Sequence, residues 1–239
     1  MTAGHARADE LRANLKAVQA RIAAACEAVG RPGDDVTLIA VTKTFPASDV
    51  RLLVELGVTD IGENRDQEAA RKAAECGDLD PRPRWHFVGQ LQVNKARSVV
   101  RYADVVHSVD RLRLCEVLGA RARAAGRVIT CLVQVDLDPK PDPDRGGAAA
   151  GDVPLLADAV AAEGGLTLGG VMAVAPLGAP PRPAFRRLAE VAGSVRAAHP
   201  RATIISAGMT GDLEEAIAEG ATHVRVGTAL LGARRPLVR

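Results

Sequence analysis

The chain has 239 residues, 47% of them apolar, 25% charged and 2% aromatic, with a formal net charge of +2. This length suits one large domain or two small ones with an ample core, and the 23 Gly and 14 Pro are spread in short clusters, which excludes collagen-like or disordered character. The small net charge and the five aromatics (Phe45, Trp85, Phe87, Tyr102 and Phe185) supply neither the field nor the stacking platform of a nucleic-acid-binding protein.

Residues 8–30 predict an amphipathic helix, with Leu11, Leu15, Val18, Ile22 and Val29 on one face and Gly30-Arg31-Pro32-Gly33 as its stop. A regular alternation follows. Apolar, β-branched runs at 36–43, 59–63, 84–89, 104–109, 128–137, 166–174, 202–208 and 223–230 predict eight strands. Helical stretches at 47–57, 65–76, 94–103, 111–126, 153–163, 183–198 and 212–219 separate them. Strands and helices alternating at this pitch form parallel βα units. Eight of them predict an α/β fold of the closed (β/α)8 TIM-barrel type, as a single domain over 1–239. The rival, a doubly wound open sheet, often carries a Gly-rich turn after its first strand, whereas here that strand runs into TKTFPASD. The Pro/Gly/Asp stretch 138–151 falls after the fifth strand, where a barrel carries a βα loop. Arg111, Arg113, Arg121, Arg123 and Arg127 mark a solvated outer helix face.

Cys26, Cys76, Cys115 and Cys131 lie far apart, with no CxxC and no Cys/His zinc spacing, so buried free thiols are expected and no metal. The polar start MTAGHARADE is not a signal segment, and no apolar run reaches membrane-spanning length. The expectation is a soluble, cytoplasmic protein with no membrane contact.

In a (β/α)8 barrel the chemistry gathers at the carboxyl ends of the strands. Lys43 closes the most apolar strand and is one of only five lysines among 31 basic residues. Lysine, unlike arginine, can lose its proton and act as an amine nucleophile. Taken alone, Lys43 also reads as a lysine reaching from a strand end to water. Near strands seven and eight, Gly208, Thr210 and Gly211 in GMTGD and Gly227-Thr228 in RVGT put small residues and hydroxyls where this fold recurrently binds phosphate. Each alone is also an ordinary turn. With Lys43 opposite, they favour a phosphorylated carbonyl ligand, and pyridoxal 5'-phosphate offers both groups. Arg225 lies on the same strand face as Gly227 and can only donate to a ring nitrogen, which weakens the ring as a carbanion sink. Its alternative is a pairing with a carboxylate such as Glu219. Glu63-Asn64 either orient the cofactor or cap the next helix. His86, between Trp85 and Phe87, reads as a hydrogen-bonded core histidine rather than a general base, and Met172 reads as barrel packing. His5, His107, His199 and His223 share no metal-ligand spacing.

The segments AVTK (40–43), GEN (62–64), WHFVGQLQVNK (85–95), GVMAV (170–174), SAGMTGDLEEAI (206–217) and VRVGTALLGAR (224–234) together resemble the YggS/PROSC family of pyridoxal-phosphate homeostasis proteins, over about residues 9 to 235. The resemblance implies a barrel like the N-terminal domain of alanine racemase, with an extra N-terminal helix and no second β domain. It implies Lys43 as the Schiff-base lysine, Arg225 facing the ring nitrogen, and Ser206, Gly227 and Thr228 on the phosphate. Asn64, His86, Met172, Gly208, Met209 and Thr210 complete the expected cofactor-binding set. The implied role is cofactor buffering or delivery by a monomer, without catalytic turnover, with pyridoxal-phosphate-dependent apo-enzymes as acceptors. The chain departs from the family pattern at Thr210 (often Ser), Asp136 (commonly Asn) and Arg145-Gly146-Gly147 (commonly Lys-x-Gly), which bears on the strand-five loop. A fold-type III racemase or decarboxylase is the main rival. It needs a second β-rich domain and a further acid/base, typically Tyr, and the sole Tyr here is Tyr102. A Schiff-base aldolase without the cofactor is a third reading, although such enzymes usually place the lysine on a later strand.

Overall fold

The structure, a computed structural model, describes residues 3–138 and 145–233. Residues 139–144 of the expected strand-five loop, and Arg234 and residue 235 at the end of the family resemblance, lie outside the described residues. Eight strands, β1 (Thr37–Val41), β2 (Asp60–Glu63), β3 (Arg84–Phe87), β4 (Val105–Val109), β5 (Ile129–Gln134), β6 (Leu166–Met172), β7 (Ile204–Ser206) and β8 (His223–Val226), form a closed barrel in chain order. All neighbours are parallel, and β8 closes on β1 through Thr37↔His223 to Ala40↔Val226. The runs are nearly continuous in apolar residues because one face of each strand meets the barrel interior and the other the helices.

Each strand is followed by a helix on the outside: α2 (Ala47–Glu55), α3 (Asp66–Glu75), α4 (Ala96–Tyr102), α5 (Leu112–Ala124), α6 (Val153–Ala162), α7 (Pro181–Ala198), α8 (Leu213–Ala218) and α9 (Thr228–Leu231). The extra helix α1 (Ala3–Glu27) precedes the barrel. Its buried face is Leu11, Leu15, Val18, Ile22 and Cys26, spaced three and four apart. Val29, expected on that face, lies beyond the helix end and is exposed, and Cys26 takes the last buried place. The end is set by Gly30 at φ +67, which lets the Arg31 N–H return to the Cys26 carbonyl at 2.9 Å. Arg21 on Glu214 and on the Thr210 carbonyl, and Asn14 on the Leu230 carbonyl, tie α1 over α8 and α9.

The last predicted strand, 223–230, is shorter than its apolar run. It stops at Val226, and Thr228–Leu231 turn into α9. The Leu230 and Leu231 N–H groups donate to the Gly227 carbonyl, which closes a helical turn in place of a sheet ladder. Inside the barrel, Val105, Leu132 and Met172 form an apolar cluster with Val174 and Ile204 packed against it. A larger shell fills the space between strands and helices, and each fully buried Leu, Ile or Val there contributes roughly 1.5–3 kcal/mol. The four cysteines are buried free thiols in this core.

Candidate functional site

At the carboxyl end of β1, Ile39 and Val41 pack on the bare backbone of Gly62 in β2. Half-buried Lys43 follows two residues beyond the end of β1, in the turn that leads to α2. Among the described residues, no hydrogen bond or ion pair engages its ammonium. Thr44 follows at φ +71, a left-handed conformation that costs a β-branched residue on the order of 1–3 kcal/mol. Its N–H is held by Glu68 Oε1 at 2.5 Å. On the other side of Lys43, the Thr42 carbonyl accepts from Lys72 Nζ at 2.6 Å and the Thr42 hydroxyl donates to Glu63 Oε1 at 2.5 Å. Lys72, on α3 and almost fully buried, also reaches Glu63 and Glu68 at 2.7 Å each. Both neighbours of Lys43 are thereby clamped to the β2–α3 unit. Burial pushes the Glu63 carboxyl above its usual range, with Lys72 acting in the opposite direction.

On the adjoining strand β8, Arg225 is buried. Its Nη1 donates to Ser206 Oγ at 2.6 Å and its Nη2 to the Ala173 carbonyl at 2.9 Å, so β6, β7 and β8 meet on one guanidinium. Burial lowers its pKa to about 10, which still leaves it charged at neutral pH. The alternative pairing with Glu219 does not occur, because Glu219 accepts from Arg182 and Arg186 on the outer surface. Gly208, after β7, sits at φ +87, and a Cβ there would lie 2.7 Å from that of Ala216. Met209 is exposed and its N–H is fixed by Asp212 Oδ1 at 2.6 Å, while Thr210 is half-buried. Gly227 packs against the end of β1, where a Cβ would come 3.4 Å from the Val41 carbonyl. Thr228 is exposed beside it.

Lys43, Asn64, Ser206, Gly208, Met209, Thr210, Arg225, Gly227 and Thr228 thus gather at or just beyond the carboxyl ends of β7, β8, β1 and β2, four consecutive staves of the barrel. Asn64 directly follows β2, and its Oδ1 is buried with no hydrogen-bond partner among the described residues. A buried acceptor without a donor is costly, so this oxygen is suited to a ligand's hydrogen. His86 and Met172 lie deeper. Met172 belongs to the interior apolar cluster. His86 is a hydrogen-bonded interior histidine, bound to Asp60 at 2.8 Å and to His107 at 2.9 Å. The residues that sequence reasoning missed are Asp60, His107, Thr42, Thr44, Glu68 and Lys72. For Lys72 a signal existed, since Glu68 precedes it by one helical turn. Among the described residues no group of three or more His, Cys, Asp or Glu is placed to hold a metal ion, and no helix is long and apolar enough to cross a membrane.

The strained turn at Thr44 beside Lys43, the buried Arg225 and the glycine-bearing loops lie together at the carboxyl end of a (β/α)8 barrel, a candidate site for a carbonyl-bearing anionic ligand. The family described as "Alanine racemase, N-terminal domain" matches residues 9–235. A pyridoxal phosphate homeostasis protein of Corynebacterium glutamicum is 42% identical over 227 residues, covering 92% of this chain and 100% of its own. Among solved structures, PipY of Synechococcus elongatus with pyridoxal phosphate bound superposes with a TM-score of 0.77 at 36% identity, over 88% of this chain and 100% of that one. The alanine racemase of Streptomyces coelicolor shares the fold, with a TM-score of 0.70 at 21% identity over 93% of this chain and 58% of that one. The chain belongs to the family of pyridoxal phosphate homeostasis proteins, whose barrel is that of the alanine racemase N-terminal domain.

Proposed function

We propose that the protein binds pyridoxal 5'-phosphate through Lys43 and buffers or delivers it without appreciable turnover. The observation that carries this reading is Lys43 itself: an unengaged lysine on a strained turn, clamped on both sides and one strand from a buried arginine. When bound, the cofactor supplies an aldehyde that condenses with the Lys43 amine, with loss of one water. The site fits the rest of the molecule. Arg225 has N–H groups left after serving Ser206 and Ala173, and these can only donate, which suits an unprotonated pyridine nitrogen. The backbone around Gly208 and Gly227, the Thr210 side chain and the Thr228 hydroxyl suit a phosphate. Asn64 Oδ1 awaits a donor such as the ring hydroxyl. The naming of the Corynebacterium relative and the bound ligand of PipY support the same reading.

The absence of turnover rests on the ring nitrogen and on acid–base supply. An arginine partner keeps the nitrogen unprotonated, which removes much of the ring's capacity to hold carbanion charge. Tyr102, the sole tyrosine, is buried at the end of α4 on the barrel's outside, and burial pushes its phenol up. General acid–base groups contribute about 10²–10⁴-fold each, and this one is out of place. The protein would act as a cytoplasmic monomer, with pyridoxal-phosphate-dependent apo-enzymes as acceptors. Borohydride reduction of the loaded protein, followed by peptide mapping, should find the pyridoxyl group on Lys43. A major adduct on Lys95 with Lys43 unmodified would overturn the assignment. Incubation with L-amino acids in D2O should give no multiple-turnover α-deuteration.

A further inference from the structure

An unbroken line of polar groups crosses the interior of the barrel. It begins at Asp60, the first residue of β2, and ends at Arg225 in the proposed ligand site. Asp60 Oδ1 lies 2.8 Å from His86 Nε2, His86 Nδ1 lies 2.9 Å from His107 Nε2, His107 Nδ1 lies 3.0 Å from Ser206 Oγ, and Ser206 Oγ lies 2.6 Å from Arg225 Nη1. Five strands contribute to it: β2, β3, β4, β7 and β8. His86, His107, Ser206 and Arg225 are all buried, so each link must be satisfied within the protein.

The two ends settle the direction of every hydrogen. Arg225 can only donate. Asp60 can only accept while ionised, and its hydrogen bond from His86 and the nearby charge of Arg84, 3.9 Å away, hold its carboxyl below the usual range against the opposing effect of burial. Burial keeps His86 and His107 neutral, so each carries one ring hydrogen. His86 must spend its hydrogen from Nε2 on Asp60, which leaves Nδ1 as an acceptor for the Nε2 hydrogen of His107. The Nδ1 of His107 is then an acceptor, and the only hydrogen available to it is the Ser206 hydroxyl's. The remaining neighbour, His223, has its ring centroid 6.5 Å from that of His86 and its Nδ1 on Thr222 Oγ1 at 2.9 Å, so it takes no part in the line.

We propose that Asp60, His86 and His107 are positioning residues for the ligand site: they turn the Ser206 hydroxyl hydrogen toward His107, so that Ser206 serves Arg225 as an acceptor and gives no hydrogen bond to phosphate. This rests on the pyridoxal-phosphate reading of the site and reassigns one of its residues. Ser206 holds the arginine that faces the ring, and the phosphate depends on the neighbouring loops. Reversing the line would need the far end to donate, which a carboxylate cannot do.

The direct test is the ring nitrogen spectrum of the unliganded, full-length protein labelled with 15N-histidine. Both His86 and His107 should show a protonated Nε2 and an unprotonated Nδ1, assigned through His86→Gln and His107→Gln. His107 carrying its hydrogen on Nδ1 in the wild-type protein would overturn the proposal, and this measurement needs no variant to fold. Asp60→Asn, whose amide can donate as well as accept, should split the ring signals of both histidines into two sets. The second arm compares pyridoxal with its phosphate. Ser206→Ala should weaken both by the same factor, leaving their affinity ratio within about twofold of wild type, whereas Thr228→Val should change that ratio by about tenfold or more. A ratio change in Ser206→Ala as large as in Thr228→Val would refute the reassignment. Failure of the wild-type protein to form the reduced Lys43 adduct overturns the parent reading instead, and the two failures are read from different experiments.

Discussion

Replacing Lys72 with Met tests whether the clamp beside Lys43 is electrostatic. Lys72 is nearly fully buried and gives all three ammonium hydrogens to acceptors at 2.6–2.7 Å: the Thr42 carbonyl, Glu63 and Glu68. Methionine matches its length but donates nothing. Removing one partner of a buried ion pair costs about 3–5 kcal/mol, because the other charge is left uncompensated. For a chain of 239 residues, with about 2–4 °C of melting temperature per kcal/mol, the expected loss is on the order of 6–20 °C. The deficit should depend on pH, with a defined sign. Burial already raises the folded pKa of Glu63 above its unfolded value, so the folded chain takes up a proton there more readily than the unfolded one. That stability is present below about pH 4.3 and is lost as pH rises through the folded pKa. Without Lys72 the shift grows, so the variant's deficit should be smaller near pH 5 than near pH 7.5. Adding Glu63→Gln to Lys72→Met should recover part of the loss at neutral pH. Urea unfolding followed by far-UV circular dichroism measures all of this. A deficit under about 1 kcal/mol, or one equal at both pH values, would refute the electrostatic account.

Thr228→Val should weaken pyridoxal phosphate by roughly 10–100-fold while sparing pyridoxal, since a charge-assisted hydrogen bond is worth about 1.5–3 kcal/mol; equilibrium dialysis of both ligands decides it, and equal losses would make Thr228 merely structural. Gly170→Ala should leave little folded protein: Gly170 sits at φ +145 with its Cα against the Ile204 backbone, so a Cβ would force β6 from β7, and a soluble variant with wild-type melting would contradict this. His223 is held neutral by burial, with a folded pKa of about 4. Its depressed pKa means that stability is lost as pH falls from about 6.5 toward that value. His223→Gln should therefore flatten the wild-type decline between pH 6.5 and 4 in urea midpoints, and parallel curves would count against it.

The barrel was legible because its strands are buried on both faces and its helices are amphipathic, so periodicity alone separates the two. The reading failed where an apolar run outlasts its element. TALL (228–231) continues the run of β8, but the chain turns at Gly227 and the same side chains pack as a helical turn. Lys43, Arg225 and the glycine loops could be singled out because residue type and position at a strand end restrict their chemistry. The interior line could not. Asp60 and His86 are 26 residues apart, His86 and His107 are 21 apart, and His107 and Ser206 are 99 apart. Only closure of the barrel makes them neighbours. The left-handed turn at Thr44 was equally hidden, since a β-branched residue is among the last that local propensity would place there.

Two lysines meet the end of β1: Lys43 follows it in the chain, and Lys72 reaches the Thr42 carbonyl from α3, and their surroundings differ. Lys72 has its three hydrogens committed to two carboxylates and a carbonyl. Lys43 has no such partner among the described residues. Glu63 and Glu68 are occupied by Lys72, Thr42 and the Thr44 N–H. Lys72 therefore anchors the carbonyl immediately before Lys43, and Glu68 holds the N–H immediately after it. The clamp thus fixes the backbone on both sides of Lys43 while its amine has no partner among the described residues, and an amine, unlike a guanidinium, is the group that can condense with a carbonyl.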